Sequence, residues 1–535
     1  MKRSGGRFRY ALRGLAGVVA ATMLVAGCGS SNGEPAETAD ATAAEEARTT
    51  IRIATLEPVG DLNPWEYHGQ FHAMDMIYEP LVAYGDGGVL EPALAESWDI
   101  SEDGLTVTFH LRQNVTFHDG TAFDAEAVKF NLEHWVGQER FRFLRSSEAI
   151  IAIDTPDDHT VVLTLSEPYP PLLQELTIVR PVRFMSPAAA PDGVYAEPIG
   201  TGPWVFESAT ETLGVFVRNE NYWGTKPELE RVELVLIPDS QTRVSALRTG
   251  EVDLIGGGYL SPINTVEAAD MASDSTLTLL EGDGDTTMSL AFNRNGLLDE
   301  YALRYAISLA TDVEGLATAL YGGPENIAYS YFPPTVPHSG TQFEREYDPE
   351  LAAQVLDEAG WEVVGETRER DGQVLELELL LVSDPIHGML DSRVIGQALQ
   401  DALADINVTV NLKIVDGSAY FDERAEGNYD LLFATTYGAP YDPANSARTF
   451  LSSEADNPVW SSPEIDALLD TAVMTDDEQE IAAAYQAVFD ILEEEMGYIP
   501  IITPPKYYAV RAEVQGFQIP PHEYRLDLTG VTIGG

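Results

Sequence analysis

The chain has 535 residues and a formal net charge of -56, from 87 acidic against 31 basic side chains. A surface of that sign repels nucleic acid and anionic lipid head groups, so nucleic acid is excluded as a partner. Cys28 is the only cysteine, so the chain beyond it has no disulfide, no thiolate chemistry and no cysteine-based zinc site. In chain order, Lys2, Arg3, Arg7, Arg9 and Arg13 precede a mostly small and apolar run from Gly14 to Gly27. That run is shorter than the roughly 20 residues a bilayer needs. Its basic front and small-residue end predict a secretory signal over 1–28. Residues 29–50, rich in Ala, Glu, Thr and Ser without hydrophobic period, predict a flexible tether. The roughly 485 residues that follow exceed what one hydrophobic core serves, so two or more lobes are expected.

Within that body, apolar alternation predicts strands at Leu105–Leu111, Thr160–Leu165, Leu213–Arg218, Arg231–Ile237, Val374–Val382 and Asn407–Val415. Helical spacing predicts helices at Ala122–Trp135, Asp299–Ala310, Ser392–Leu403 and Glu478–Met496. Another is opened by Asp348-Pro349 and closed by Gly360. Strands alternating with helices argue for an α/β fold. The acids are spread along the whole length. We read them as the habit of a salt-adapted or GC-rich host rather than as attraction for a cationic cargo.

Leu24-Val25-Ala26-Gly27-Cys28 resembles the lipobox of bacterial lipoproteins. The resemblance implies that Cys28 carries lipid and that the body is anchored to the outer face of the cell membrane, outside the cytoplasm. Further on come Tyr78-Glu-Pro-Leu81, Leu94-Ala-Glu-Ser-Trp98, Phe109-His-Leu-Arg112 and Val115-Thr-Phe-His-Asp-Gly120. Phe123-Asp-Ala125, Gly200-Thr-Gly-Pro-Trp204 and Arg218-Asn-Glu-Asn-Tyr-Trp-Gly224 follow. In this order the motifs resemble the family-5 solute-binding proteins of ABC importers, which carry peptides, nickel, opines and related cargo. The resemblance implies a two-lobed periplasmic-binding-protein-like fold, type II in its large variant, with an extra subdomain in the first lobe. It implies lobe I over 51–288, lobe II over 289–503 and a C-terminal return to lobe I over 504–535.

Leu173-Gln-Glu-Leu176, Arg180-Pro-Val-Arg-Phe184 and Gly438-Ala-Pro-Tyr-Asp-Pro443 resemble the nickel-binding branch. That likeness implies a receptor, not an enzyme, that captures Ni(II) or another transition metal as a small chelate and needs no cofactor of its own. Its partners would be ABC permease and ATPase subunits, and it would act as a monomer. By the same likeness, Arg180 and Arg140 are the carboxylate-binding arginines, and Phe143, Tyr437, Tyr67 and Tyr441 line the pocket. A planar guanidinium grips a carboxylate bidentately, as lysine cannot.

Two departures stand out. The nickel branch carries a metal-ligating histidine after the Gly438–Pro443 motif, but here Ala444-Asn-Ser-Ala-Arg448 follows. Asn445 and Arg448 suit a further carboxylate or amide of the chelator instead. His68 and His72 are spaced i, i+4, which on a helix sets two imidazoles on one face, a pair suited to nickel, copper or zinc. No His-Glu-x-x-His, Gly-x-Ser-x-Gly or phosphate loop is present. The alternative cargo is an oligopeptide, an opine or an amino-acid derivative. An extracellular hydrolase is a distant rival.

Overall fold

Strand alternation organises this chain into two lobes, each built on its own sheet. The computed structural model describes residues 48–534 apart from 67–68, 324–325, 341, 344–345, 384–391 and 456–457. The expected signal, Cys28 and the tether up to residue 47 lie outside the described residues.

The first sheet has seven strands, in the order Leu277–Gly282, Lys506–Arg511, Leu254–Gly256, Thr50–Thr55, Arg231–Leu236, Leu213–Arg218 and Trp204–Ala209. Its central strand, Thr50–Thr55, runs parallel to both neighbours, and the flanking pairs are antiparallel. Ile51 and Ile53 enter one core while Ala54 enters another with Leu247 and Ile255. That division follows from side chains alternating across a strand. Arg48 is ion-paired with buried Asp253, and the Thr49 carbonyl accepts from Glu230 N at 2.8 Å. Arg48 to Thr50, which the sequence assigned to the tether, are thus bonded into the body.

A four-stranded antiparallel sheet, in the order Ala95–Ile100, Thr106–Leu111, Thr160–Leu165 and Ile150–Asp157, elaborates this lobe. Phe109, Val161 and Leu163 join the same core as Ile51 and Ile53. The second lobe is built on five strands, in the order Thr409–Val415, Glu376–Val382, Leu431–Thr435, Met288–Phe292 and Tyr498–Ile502. Leu377, Leu379 and Leu381 enter one core of this lobe, and Leu380 and Val382 enter the other. A strand covered on both faces reads as a continuous apolar run, which is why Leu379 to Val382 show no polar break. The chain crosses between the two sheets at 283–287 and again at 503–505. An ion pair of 3.4 Å joins Asp285 in the first crossing to Lys506, the first strand residue after the second.

The strands Thr160–Leu165 and Leu213–Arg218 have the expected bounds. The helix Pro349–Glu358 is capped by Asp348, whose side chain accepts from Leu351 N at 2.8 Å, and Gly360 beyond it has φ +84. Elsewhere the ends moved. The Asp124 side chain accepts from Ala127 N at 2.9 Å, so the helix expected from Ala122 runs over Ala125–Leu132. The strand expected from Val374 breaks at Leu375, whose N–H turns to Arg368 O at 2.8 Å, and resumes at Glu376. Among the described residues, no helix is long and apolar enough to cross a membrane.

Candidate ligand-binding site

Between the lobes lies a cavity of about 220 Å³. The first lobe supplies Phe71, Arg180, Tyr259 and Tyr524 to it. The second supplies Tyr420, Phe421, Arg424, Tyr437, Tyr441 and Phe450, with strand residues 432–435. Arg180 is 7% exposed. Its guanidinium lies 3.6 Å from the centre of the Phe71 ring and donates from Nη1 to Gly69 O at 2.8 Å. A guanidinium over a ring face is attracted by the ring quadrupole. The aromatic wall is continuous: Phe71 to Tyr524 4.6 Å, Tyr259 to Tyr524 4.6 Å, Tyr441 to Tyr524 5.1 Å and Tyr437 to Tyr441 6.0 Å between ring centres. It also crosses the lobe boundary, since Tyr524 OH donates to Tyr437 O at 2.6 Å.

The second-lobe side of the cavity is positioned by ordinary helix chemistry. The Asp416 side chain accepts from Ala419 N and opens the helix Gly417–Glu426, which Gly427 ends in the left-handed region at φ +71. Tyr420 and Arg424 are four apart on that helix and share a face. Phe450 comes from the helix Ala444–Leu451, and the Arg424 guanidinium lies 4.8 Å from its ring centre. Sequence reasoning missed Phe71, Tyr259, Tyr420, Phe421, Arg424 and Tyr524. The i, i+4 pair of Tyr420 and Arg424, between an Asp cap and a closing glycine, was the available signal.

Across residues 89–458 the chain matches the family described as bacterial extracellular solute-binding proteins, family 5, middle region. It is 34% identical over 473 residues to the nickel-binding periplasmic protein of Escherichia coli, covering 84% of this chain and 88% of that one. The chain is a family-5 extracellular solute-binding protein. The solved structure of NikA from Brucella suis in complex with Fe(III)-EDTA is 32% identical and superposes with a TM-score of 0.83, over 90% of this chain and 99% of that one. DppA from Helicobacter pylori in complex with the peptide STSA is 25% identical with a TM-score of 0.76, over 91% and 99%. These relatives are transport receptors with the same two-lobed fold.

Three of the signature motifs of this solute-binding protein meet at one buried carboxylate. Glu79 accepts from Thr201 Oγ1 at 2.7 Å, Tyr222 OH at 2.8 Å and Trp223 Nε1 at 2.8 Å. Burial raises its pKa to about 7, against the pull of those donors. A Cβ on Gly202 would lie 2.5 Å from Met76 O, so glycine is required there for the close approach. The motif thus holds the first lobe together and stands apart from the aromatic cavity.

The remaining candidates fall into three places. Arg180, Tyr437 and Tyr441 line the aromatic cavity. Arg140, Phe143 and Arg448 line a neighbouring space of about 510 Å³, which shares only Phe421 and Arg424 with it. There Arg140 is half-exposed, paired with Glu66 at 2.8 Å and 4.7 Å from the Phe141 ring centre. Arg448 sits 3.3 Å from Glu148 and 3.5 Å from Glu454. Asn445 is buried in the seam between the lobes, donating to Phe143 O at 3.1 Å and to Glu175 Oε1 at 3.2 Å.

Tyr67 and His68 lie outside the described residues. His72 is fully buried, and its Nε2 lies 2.7 Å from Glu523 O, to which it donates. Burial lowers its pKa to about 4, so the ring is neutral at pH 7. The helix carrying it begins at Phe71, with Gln70 extended before it. The face expected to be shared by His68 and His72 involves a residue outside the described ones. His72 lines neither of the two spaces. Among the described residues, no group of three or more His, Cys, Asp or Glu is placed to hold a metal ion.

Proposed function

We propose that this protein is the receptor of an ABC importer and captures a carboxylate-bearing complex of nickel or another transition metal between its lobes. It hands that complex to a permease driven by ATPase subunits and works as a monomer without chemistry of its own. The observation that carries the reading is Arg180, its guanidinium carbon 3.6 Å from the centre of the Phe71 ring in an aromatic cavity shared by both lobes. A guanidinium, which can grip a carboxylate bidentately, at the wall of an aromatic chamber suits the carboxylates of a chelator. The likeness to the nickel-binding protein of Escherichia coli and to NikA with Fe(III)-EDTA supports the same reading. Contacts from both lobes to one ligand favour the closed form, which is how binding is coupled to closure. The lipobox supports a body tethered by Cys28 outside the cell membrane; the Cys28→Ser variant should then leave the membrane fraction for the medium.

Thermal melts with Ni(II) plus L-histidine, with Fe(III)-EDTA and with a tripeptide mixture test the cargo. A ligand at 100 times its Kd stabilises by about 2.7 kcal/mol, so a metal chelate should raise the melting temperature by several degrees. A rise with peptides alone would transfer the cargo to the peptide reading, which the likeness to DppA supports. Cargo returned chemically altered would point to a hydrolase.

A further inference from the structure

The second-lobe loop 437–443 carries Tyr437 and Tyr441, which line the aromatic cavity. The first lobe grips that loop by its backbone as well as meeting its rings. Gln174 Nε2 donates to Pro440 O at 2.7 Å and to Asp442 O at 2.9 Å, the carbonyls on either side of Tyr441. A side-chain amide has two N–H donors, so one nitrogen serves both carbonyls. Each end of this bridge is set within its own lobe. Gln174 lies on the helix Leu172–Glu175, where Thr177 Oγ1 and Thr177 N donate to its backbone carbonyl at 2.7 and 3.0 Å. The neighbouring Glu175 accepts from Ser146 N and Tyr169 OH, at 2.9 and 2.7 Å. On the other side Tyr441 N donates to Gly438 O at 2.9 Å, and Asn445 N donates to Tyr441 O at 2.9 Å.

The bridge thus joins two parts already held in shape, and it forms only where the lobes meet. We propose that Gln174 is a positioning residue for the cargo. It is not among the side chains that line the cavity. By fixing the backbone on both sides of Tyr441 it holds that ring, 4% exposed, against the bound molecule as the lobes shut. Asn445 differs in this respect: it ties its own side chain to the first lobe, whereas Gln174 reaches from the first lobe to the backbone around a cavity ring. Because the bridge belongs to the closed arrangement, it slows release of cargo and leaves capture by the open form alone. This role rests on the receptor reading above and is the same for a chelate or a peptide.

The test is a double-mutant cycle on the whole soluble protein, with affinities from titration calorimetry and rates from stopped-flow fluorescence. The probes are Ni(II) with L-histidine, Fe(III)-EDTA and trialanine. Gln174→Met keeps the length and loses both donors. It should weaken binding of the probe that the wild type takes roughly 5- to 30-fold, nearly all of it as faster release. Gln174→Glu has the same shape but an ionised carboxylate with no donor, so it should lose at least as much. In a Tyr441→Ala background Gln174→Met should change affinity less than about 2-fold, because residues that act through one another do not add. Equal losses in both backgrounds would make Gln174 a plain tie between lobes and overturn its role toward Tyr441. A loss confined to Gln174→Met, with Gln174→Glu binding as the wild type does, would report packing and overturn that role as well. Wild-type protein that took only trialanine would overturn the chelate reading, and the cycle run with trialanine would still decide the role of Gln174.

Discussion

The aromatic cavity and the seam beside it are made by the same two lobes in opposite ways. In the cavity the lobes present ring faces, and Arg180 is pinned by a ring and a backbone carbonyl. In the seam they present saturated polar groups. Buried Glu175 accepts from Ser146 N at 2.9 Å, Tyr169 OH at 2.7 Å and Asn445 Nδ2 at 3.2 Å. Arg145 reaches Glu167 at 2.8 Å and, across the lobes, Asp470 at 2.9 Å. The seam latches protein to protein, whereas the cavity keeps a cation oriented toward a space. In a chain with 87 acids, an arginine at a rim meets glutamates of its own protein. Arg180 is instead set where aromatic side chains make the walls.

The largest effect that would sharpen this contrast is on binding. Arg180→Ala should weaken chelate affinity roughly 10- to 150-fold, the equivalent of a charge-assisted contact of about 1.5 to 3 kcal/mol. Arg180→Lys should recover little. Titration that found the alanine variant unimpaired would break the distinction between cavity and seam.

A second effect concerns the loop that serves both regions. Asp442 accepts from Gly438 N at 2.9 Å and from Ser446 Oγ, bracing the turn that carries Tyr437 and Tyr441. Burial raises its pKa to about 7, and the nearby charge of Asp285 adds to the rise. A carboxyl raised this way binds its proton more tightly folded than unfolded. Its contribution to stability is therefore present below about pH 4 and is lost as pH climbs to about 7. Glu79 acts in the same direction. His72, lowered to about 4, acts in the other, but only below its ordinary value of about 6.5. Between pH 6 and 8 the melting temperature of the apo protein should fall, and Asp442→Asn should flatten that slope. An unchanged slope in the variant would remove Asp442 as its source.

The smallest effects belong to the seam and rim. Asn445→Ala deletes a buried donor and should cost about 1 to 3 kcal/mol of stability by denaturant titration. Chelate affinity should change only a few-fold. Arg448→Ala, whose glutamate partners are both solvent-exposed, should cost less than about 1 kcal/mol. Should Arg448→Ala match Arg180→Ala in lost affinity, the cargo reaches the outer space and the rim is part of the site.

Which residues were legible from the chain depended on the range of the interactions that place them. Arg180, Tyr437 and Tyr441 were found through motif likeness and do line the cavity. Arg424 was not, because its helix carries Asp422, Glu423 and Glu426 around it and reads as an ordinary charged surface segment. Tyr524 was missed because its hydroxyl finds Tyr437 from 87 residues away. Of the histidine pair, His72 is buried against Glu523 O, 451 positions away, a placement that the spacing of two imidazoles does not encode.

Alternation, capping pairs such as Asp348-Pro349 and the ordered family motifs gave the fold class and the approximate places of the strands and helices named from the sequence, which are a minority of those in the structure. Those signals act over a few residues, within reach of backbone geometry and local hydrogen bonds. Which arginine faces the cavity, which is spent on a glutamate, and that Thr201, Tyr222 and Trp223 converge on Glu79 were decided only in three dimensions. Arg180 meets Gly69 across 111 positions and Asn445 meets Glu175 across 270. Contacts at such separations depend on how whole lobes pack, and no local pattern encodes that.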